Sequence, residues 1–251
     1  MKILVTGSEG FVGTNLRVAL RRRPEVVILP FDVAHPADDL DRHAAAADFV
    51  FHLAGVNRPR DPAEYVAGNV DLTARLLARL TAAGRRTPVV FSSSTQAALE
   101  NPYGESKRRA EELILDYHRS TGAPVRVFRF PNVFGKWSRP HYNSVVSTFC
   151  HNLTHGMPVQ VSNRSTEITF VYVDEAVRCL LSCLEPPLTG GGFDEVAEML
   201  HRLARPHEGV LGRVPGIPGM HDVADYRDAR TIPGCIFYRY DAPLFFANVG
   251  D

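Results

Sequence analysis

Gly7, Gly10 and Gly13 recur every third residue between an unbroken apolar run, Ile3-Leu4-Val5, and a helical pattern carried by Leu16, Ala19 and Leu20. Few features restrict a fold as tightly. An apolar run without alternation reads as a strand buried on both faces, so helices must cover both sides of its sheet. In a strand-loop-helix turn of this kind each glycine has its own task. Gly7 allows the tight turn, Gly10 lets backbone approach a pyrophosphate, and Gly13 lets helix and strand pack closely. The helix start, at Phe11 and Val12, then presents free N–H groups to the phosphates.

Further apolar runs follow at the spacing of alternating strands and helices. Val26–Leu29 leads to Phe31-Asp32, where a carboxylate is placed to bind adenosine ribose hydroxyls and to repel a 2′-phosphate. A third strand, 48–55, ends in Leu53, Ala54 and Gly55, small enough at its tip for a cofactor to lie across it. His52 within it reads as a satisfied core histidine. A helix is predicted over 61–80 with Asn69 inside it, a mild helix penalty that hints at a hydrogen-bonding role. Pro88–Phe91 forms a fourth strand and runs into Ser92-Ser93-Ser94. Val125–Phe130 forms a fifth, closed by Pro131–Gly135. The alternation predicts an α/β fold with a doubly wound parallel sheet, the NAD(P)-binding Rossmann arrangement.

Tyr103 and Lys107 lie four apart on a helix whose first turn is predicted at Pro102 and whose strong helix formers run from Glu105 to His118, hence on one face. An ammonium beside a phenol favours the phenolate, so Lys107 is expected to draw the Tyr103 pKa downward. Such a tyrosine can exchange a proton with a substrate oxygen, and a serine at the end of the fourth strand can bond the same oxygen.

Composition excludes several classes. The 28 basic and 28 acidic side chains cancel, leaving no electrostatic footprint for nucleic acid. The four cysteines form no Cys-x-x-Cys pair and no histidine stands beside them at metal-ligand spacing, so no metal is expected. The first residues make a strand and a glycine loop instead of a leader, and no apolar run is long enough to span a bilayer. A cytoplasmic location without membrane association is expected.

With these motifs in order, the chain resembles the extended short-chain dehydrogenase/reductases. The stretches His52-Leu-Ala-Gly-Val-Asn-Arg-Pro59, Ser92-Ser-Ser-Thr-Gln-Ala97 and Phe130-Pro-Asn-Val-Phe-Gly-Lys-Trp137 are similar to one subgroup, the capsular-polysaccharide UDP-sugar 4-ketoreductases. The resemblance covers about residues 1 to 187. It implies hydride transfer from a nicotinamide cofactor to a 4-keto UDP-N-acetyl-6-deoxyhexose, with Ser94, Tyr103, Lys107 and Asn69 catalytic. It implies cofactor contacts at Gly7, Gly10, Phe11, Val12, Gly13, Asp32, Leu53, Ala54, Gly55, Tyr103, Lys107, Phe130 and Val133, and substrate contacts at Asn132, Arg139, Asn143 and Ser144. The subgroup uses NADP(H), whereas Asp32 followed by Val33 points to NAD(H). Members of the family often form homodimers. The alternatives are an epimerase or dehydratase on the same scaffold, or a cofactor-binding protein without turnover. Thr95 and Gln96 occupy the place where a dehydratase would want an acid.

Beyond residue 187 the pattern changes. Pro186–Gly192 is rich in chain breakers, Phe193–Leu203 reads as an amphipathic helix, and Cys235–Asn248 is rich in aromatic strand formers. Residues 194 to 251 resemble the start of the STAS domain of sulfate-permease-family transporters. The expected organisation is therefore a reductase domain, 1–187, with a small truncated substrate lobe, and a short α/β tail, 188–251, to which no transport function is assigned. If mobile, that tail would leave Phe245 and Phe246 uncovered.

Overall fold

The apolar runs become the strands of one parallel sheet in a computed structural model of the chain, which describes residues 1–161, 168–185, 208–212, 221–222 and 237–240. The strands β1 (Lys2–Thr6), β2 (Val27–Phe31), β3 (Phe49–His52), β4 (Val89–Ser94) and β5 (Val125–Phe130) lie side by side in the order β2-β1-β3-β4-β5. Every neighbouring pair is parallel. The chain passes from β1 outward to β2 through α1 (Phe11–Leu20), then returns across β1 to β3 through α2 (Ala37–Ala46). Right-handed crossovers in opposite directions put α1 and α2 on opposite faces of the sheet.

One face packs Leu4, Val50, Val89, Phe91 and Val127 against Leu40 and Ala44 of α2 and against the two longer helices described next. The intervening strand residues Ile3, Val5 and Phe51 are buried too, as a sheet covered on both faces requires. The reversal at β1 leaves a crevice beyond the carboxyl ends of β1 and β3, where ligands of such sheets bind.

The helix expected over 61–80 is interrupted. A short α3 (Ala63–Tyr65) passes into a π turn (Val66–Asp71) before α4 (Leu72–Ala82) resumes the regular spacing. Asn69 sits in that π turn, and such insertions gather at functional sites. The helix α5 (Pro102–Thr121) begins at Pro102, as expected, and runs past His118, and its capping explains both ends. The Asn101 side chain accepts the Gly104 N–H at 2.8 Å, Pro102 occupies the first turn, and Gly122 closes the helix at a φ of 69°. The serine triplet, expected to follow the fourth strand, is its last three residues.

After β5 come β6 (Asn132–Phe134), α6 (Val145–Thr154), β7 (Phe170–Tyr172) and α7 (Val173–Ser182); β6 and β7 form a two-stranded sheet, and α7 packs on α1. The chain divides into two compact units, one holding residues 1–159 and 171–196, the other 160–170 and 197–251. In the second, β8 (Glu208–Gly212), β9 (His221–Asp222) and β10 (Phe237–Tyr240) make an antiparallel sheet in the order β10-β8-β9. The breaker-rich stretch 186–192, the expected helix 193–203, and Phe245 and Phe246 lie outside the described residues.

Candidate active site

The glycine loop lies backbone against backbone on the end of β3. A Cβ on Gly7, whose φ is 68°, would fall 2.7 Å from the Ala54 nitrogen, and one on Gly13 would fall 2.0 Å from the Gly7 oxygen. Neither position admits a side chain. Leu53 N–H donates to the Thr6 carbonyl and Ala54 N–H to the Thr6 hydroxyl, both at 3.2 Å, so the tip of β3 is tied to β1. The N-cap of α1 is Gly10, which offers its helix no side-chain acceptor. The first-turn N–H groups, at Phe11 and Val12, are therefore left for an anion. Glycine backbone, an uncapped helix start and the small residues Ala54 and Gly55 fit a dinucleotide pyrophosphate.

Asp32 follows β2 at the lip of this loop. Its carboxylate accepts the Glu9 N–H at 2.7 Å and the Val33 N–H at 2.8 Å, while its own N–H donates to His35 Nδ1 at 2.8 Å. Arg17 of α1 is paired with the Glu9 carboxylate and also donates to the Ser8 carbonyl. Val33 is almost fully exposed and carries no charge.

The end of β4 is joined to α5 at three successive turns of the helix. Ser94 meets Tyr103, the Ser92 carbonyl accepts the Lys107 ammonium at 2.8 Å, and the Ser93 hydroxyl donates to Glu111. The helix period of 3.6 brings residues 103, 107 and 111 to one face, and that face meets three consecutive serines. Gln96 N–H donates to Ser94 Oγ at 3.2 Å, opening a short 3₁₀ turn (Thr95–Ala98). With that lone pair engaged, the Ser94 hydroxyl proton is free to face the phenol. Gly104 is what brings the 3₁₀ turn this near, since a Cβ there would lie 2.1 Å from the Gln96 oxygen.

The electrostatics depart from expectation at Tyr103. Burial pushes its phenol above the ordinary tyrosine value, the Ser94 hydrogen bond pulls the other way, and the neighbouring Tyr65 raises it slightly. The expected downward pull of Lys107 does not govern, because that ammonium is engaged by the Ser92 carbonyl and rests over the Phe91 ring at 4.6 Å. Lys107 is itself pushed down to about 8 by burial, with Glu111 opposing.

Asn69, in the π turn, is buried and uses its whole amide. Its Oδ1 accepts the Val56 N–H at 2.7 Å, and its Nδ2 donates to the Val56 carbonyl at 2.9 Å and to the Ser106 hydroxyl at 2.8 Å. It thus clamps the loop after β3 onto α5. Gly55 lies inside this clamp, where a Cβ would stand 2.9 Å from Asn69 Oδ1 and 3.3 Å from Lys107 Nζ. Behind it, His52 is fully buried between Thr6 Oγ1 at 2.7 Å and Thr73 Oγ1 at 2.8 Å, and Thr73 donates to the Asn69 carbonyl at 2.6 Å. His52 is the core histidine expected.

The other residues singled out from the sequence are more dispersed. Phe130 ends β5, buried and stacked on Phe128 with centroids 5.7 Å apart. Asn132 is exposed and Val133 half-buried on β6. Ser144 is the N-cap of α6, its hydroxyl accepting the Ser147 N–H at 3.2 Å, which gives it a structural task. Asn143 accepts from Arg58 Nε at 3.2 Å, and Arg139 is exposed.

Sequence reasoning passed over four groups. Glu111 and Arg129 form a two-pronged ion pair at 2.9 and 2.6 Å behind Lys107. Tyr65 packs its ring on Tyr103 with centroids 5.8 Å apart. Arg58 reaches across to the segment before α6. Asn15 of α1 donates to the Lys136 carbonyl at 3.2 Å, tying the glycine-loop helix to the segment after β6. Glu111 was findable, since it continues the Tyr103–Lys107 spacing by one more step of four.

Residues 3–194 match the model of the NAD dependent epimerase/dehydratase family. The chain belongs to that family. A curated relative from Pseudomonas aeruginosa, the UDP-2-acetamido-2,6-beta-L-arabino-hexul-4-ose reductase, is 47% identical over 189 residues, covering 75% of this chain and 51% of the relative. The solved capsular polysaccharide assembling protein CapF from Staphylococcus aureus superposes with a TM-score of 0.68 at 35% identity, covering 81% of this chain and 58% of that one. The chain thus spans between half and three fifths of the length of these two proteins. A stretch of 56 residues, 22% of the chain, is 59% identical to a probable sulfate transporter of Mycobacterium tuberculosis, covering 10% of that protein. A nicotinamide cofactor follows from family membership, and no described helix is long and apolar enough to cross a membrane.

Proposed function

We propose that the chain reduces a 4-keto nucleotide sugar of the UDP-N-acetyl-6-deoxyhexos-4-ulose type, in the synthesis of surface polysaccharide precursors. The observation that carries this reading is the meeting of Ser94 and Tyr103 at the end of β4, with Lys107 one turn deeper and the uncapped start of α1 across the same crevice. The printed activity of the Pseudomonas relative supports the substrate class.

The nicotinamide, when bound, supplies the hydride. The chain's own residues handle the oxygen. Tyr103 is the proton donor to the reduced keto oxygen, and burial keeps its phenol protonated until that moment. Ser94 positions the oxygen and stabilises the phenolate left behind. Lys107 supplies positive charge within the same pocket, and Asn69 holds the loop and helix that frame it. Arg139, Asn132 and the Arg58–Asn143 pair border the place proposed for the nucleotide sugar. UDP-sugar and nicotinamide pools make the cytoplasm the proposed location.

Between the two nicotinamides we favour NADH. The Asp32 carboxylate is fixed at the lip of the glycine loop, and Arg17, a cation of that lip, is already paired with Glu9. A 2′-phosphate would meet the anion, whereas a ribose hydroxyl would donate to it. Titration of the purified protein with each cofactor, followed by nicotinamide fluorescence and thermal shift, tests this; tighter NADPH binding refutes it. Turnover is tested by NADH oxidation on addition of a 4-keto UDP-sugar. Cofactor binding without ketone-dependent oxidation would select the reading as a binding protein instead.

A further inference from the structure

Glu111 is only 3% exposed, yet it carries a charge that the proposed chemistry does not use. Its two carboxylate oxygens face the Arg129 guanidinium, and the Ser93 hydroxyl donates to one of them. It lies one turn beyond Lys107 on α5, on the same face. The lysine is bonded to the carbonyl of Ser92, the residue before Ser93. Two adjacent residues of β4 therefore hold a buried cation and a buried anion that are adjacent on the helix. The titratable groups around Lys107 are Tyr103 and Glu111 on its own helix and His52 from β3, with Arg129 of β5 behind Glu111. His52 is neutral in its two-hydroxyl cage. Arg129 is one-third exposed and screened by solvent, while Glu111 is not.

We propose that Glu111 is a positioning residue for Lys107: its buried carboxylate, fixed by Arg129 and Ser93, keeps that lysine in the ammonium form beside Tyr103. An ammonium stripped of water reverts to the neutral amine unless an anion stays near it. Arg129 and Ser93 fix the carboxylate in place, because a buried anion left unbonded would itself take up a proton. The proposal rests on Lys107 being part of the catalytic set, but its test does not require turnover.

The chain has three lysines, Lys2, Lys107 and Lys136. Protein labelled with ¹³Cε-lysine therefore gives three signals, and Lys107→Met assigns the one of interest. In the wild type that signal is expected to titrate near pH 8. In Glu111→Gln its proton affinity is expected to fall by about tenfold, one pKa unit. A merely structural role predicts the reverse, since a loosened site admits water and lets Lys107 rise towards the ordinary lysine range. An unchanged or upward titration in folded protein overturns the proposal. If circular dichroism shows Glu111→Gln unfolded, the paired Glu111→Leu/Arg129→Leu variant decides. It removes both charges at similar volume, a change buried ion pairs commonly tolerate, and a downward shift is again expected. Where the wild type turns over, the basic limb of its kcat/KM profile should move down with the lysine. A wild type without turnover would sink the reductase reading while leaving the titration to decide the role of Glu111.

Discussion

In the proposed reduction, Tyr103, Lys107 and Gly55 divide the work of the site among a proton, a charge and an empty space. Tyr103→Phe keeps the ring that packs on Tyr65 but removes the hydroxyl. It is expected to lower kcat by about 10²- to 10⁴-fold, the ordinary contribution of a positioned acid, while nicotinamide fluorescence still reports binding. Equal loss of binding and turnover would instead mean that the ring's packing, not its proton, matters. Gly55→Ala tests the space. Its methyl would stand 2.9 Å from Asn69 Oδ1 and 3.3 Å from Lys107 Nζ, so the clamp or the lysine must shift. A misplacement of about 1 Å at a reacting group costs on the order of 10²-fold in rate, and this smaller shift is expected to lower kcat by about 10-fold. Thermal unfolding should move much less than kcat. Wild-type turnover in Gly55→Ala would show that Lys107 can be displaced without consequence.

The interrupted helix 63–82 shows where sequence reading succeeds and where it stops. Its apolar positions Val70, Leu77 and Leu80 were legible because they repeat near one helix face, and all three are buried, whereas the fully buried Leu76 was passed over. Asn69 was legible as an anomaly, a polar residue inside a helix. The π turn around it was not, because one extra residue per turn leaves no mark in a hydrophobic pattern. It is imposed by tertiary bonds from Asn69 to Val56 and Ser106. The same distinction holds at β4 and α5: spacing paired Tyr103 with Lys107, but the serines' one-to-one matching with residues 103, 107 and 111 depends on how strand and helix cross. Arg129, read simply as part of a buried strand, needed its partner in view. The clamp makes a stability prediction. Asn69→Leu leaves the Val56 N–H and carbonyl without that partner, and each buried unsatisfied group costs about 1–3 kcal/mol. A loss of roughly 2–5 kcal/mol in urea unfolding is expected, and a loss below about 1 kcal/mol would mean that water replaces the amide.

The sheet, the glycine loop and the clamp are joined through one buried histidine, and this couples the stability of the first unit to pH. Hydrogen bonding fixes the form of His52. Thr73 gives its proton to the Asn69 carbonyl, so it accepts from His52 Nε2; Thr6 accepts from Ala54 N–H and gives its proton to Nδ1. The ring is thus neutral, with its proton on Nε2. Burial, helped by the positive charge of Lys107, holds its pKa down at about 3 against an ordinary 6.5. The unfolded chain therefore takes up a proton below pH 6.5 that the folded chain refuses. The contribution is fully present above pH 6.5 and is lost as pH falls towards 3, with a slope of up to about 1.4 kcal/mol per pH unit. His43 and His151 are lowered as well but are far less buried, so their part is smaller. Denaturant unfolding at pH 7.5, 6 and 5 should show this decline in the wild type. His52→Gln, which can still donate to Thr73, should be less stable at pH 7.5 but flatter by close to one proton across the same window. Parallel curves for the two proteins would mean that His52 titrates freely in the folded state, and that the chain of hydroxyls from β1 to the π turn does not hold it neutral.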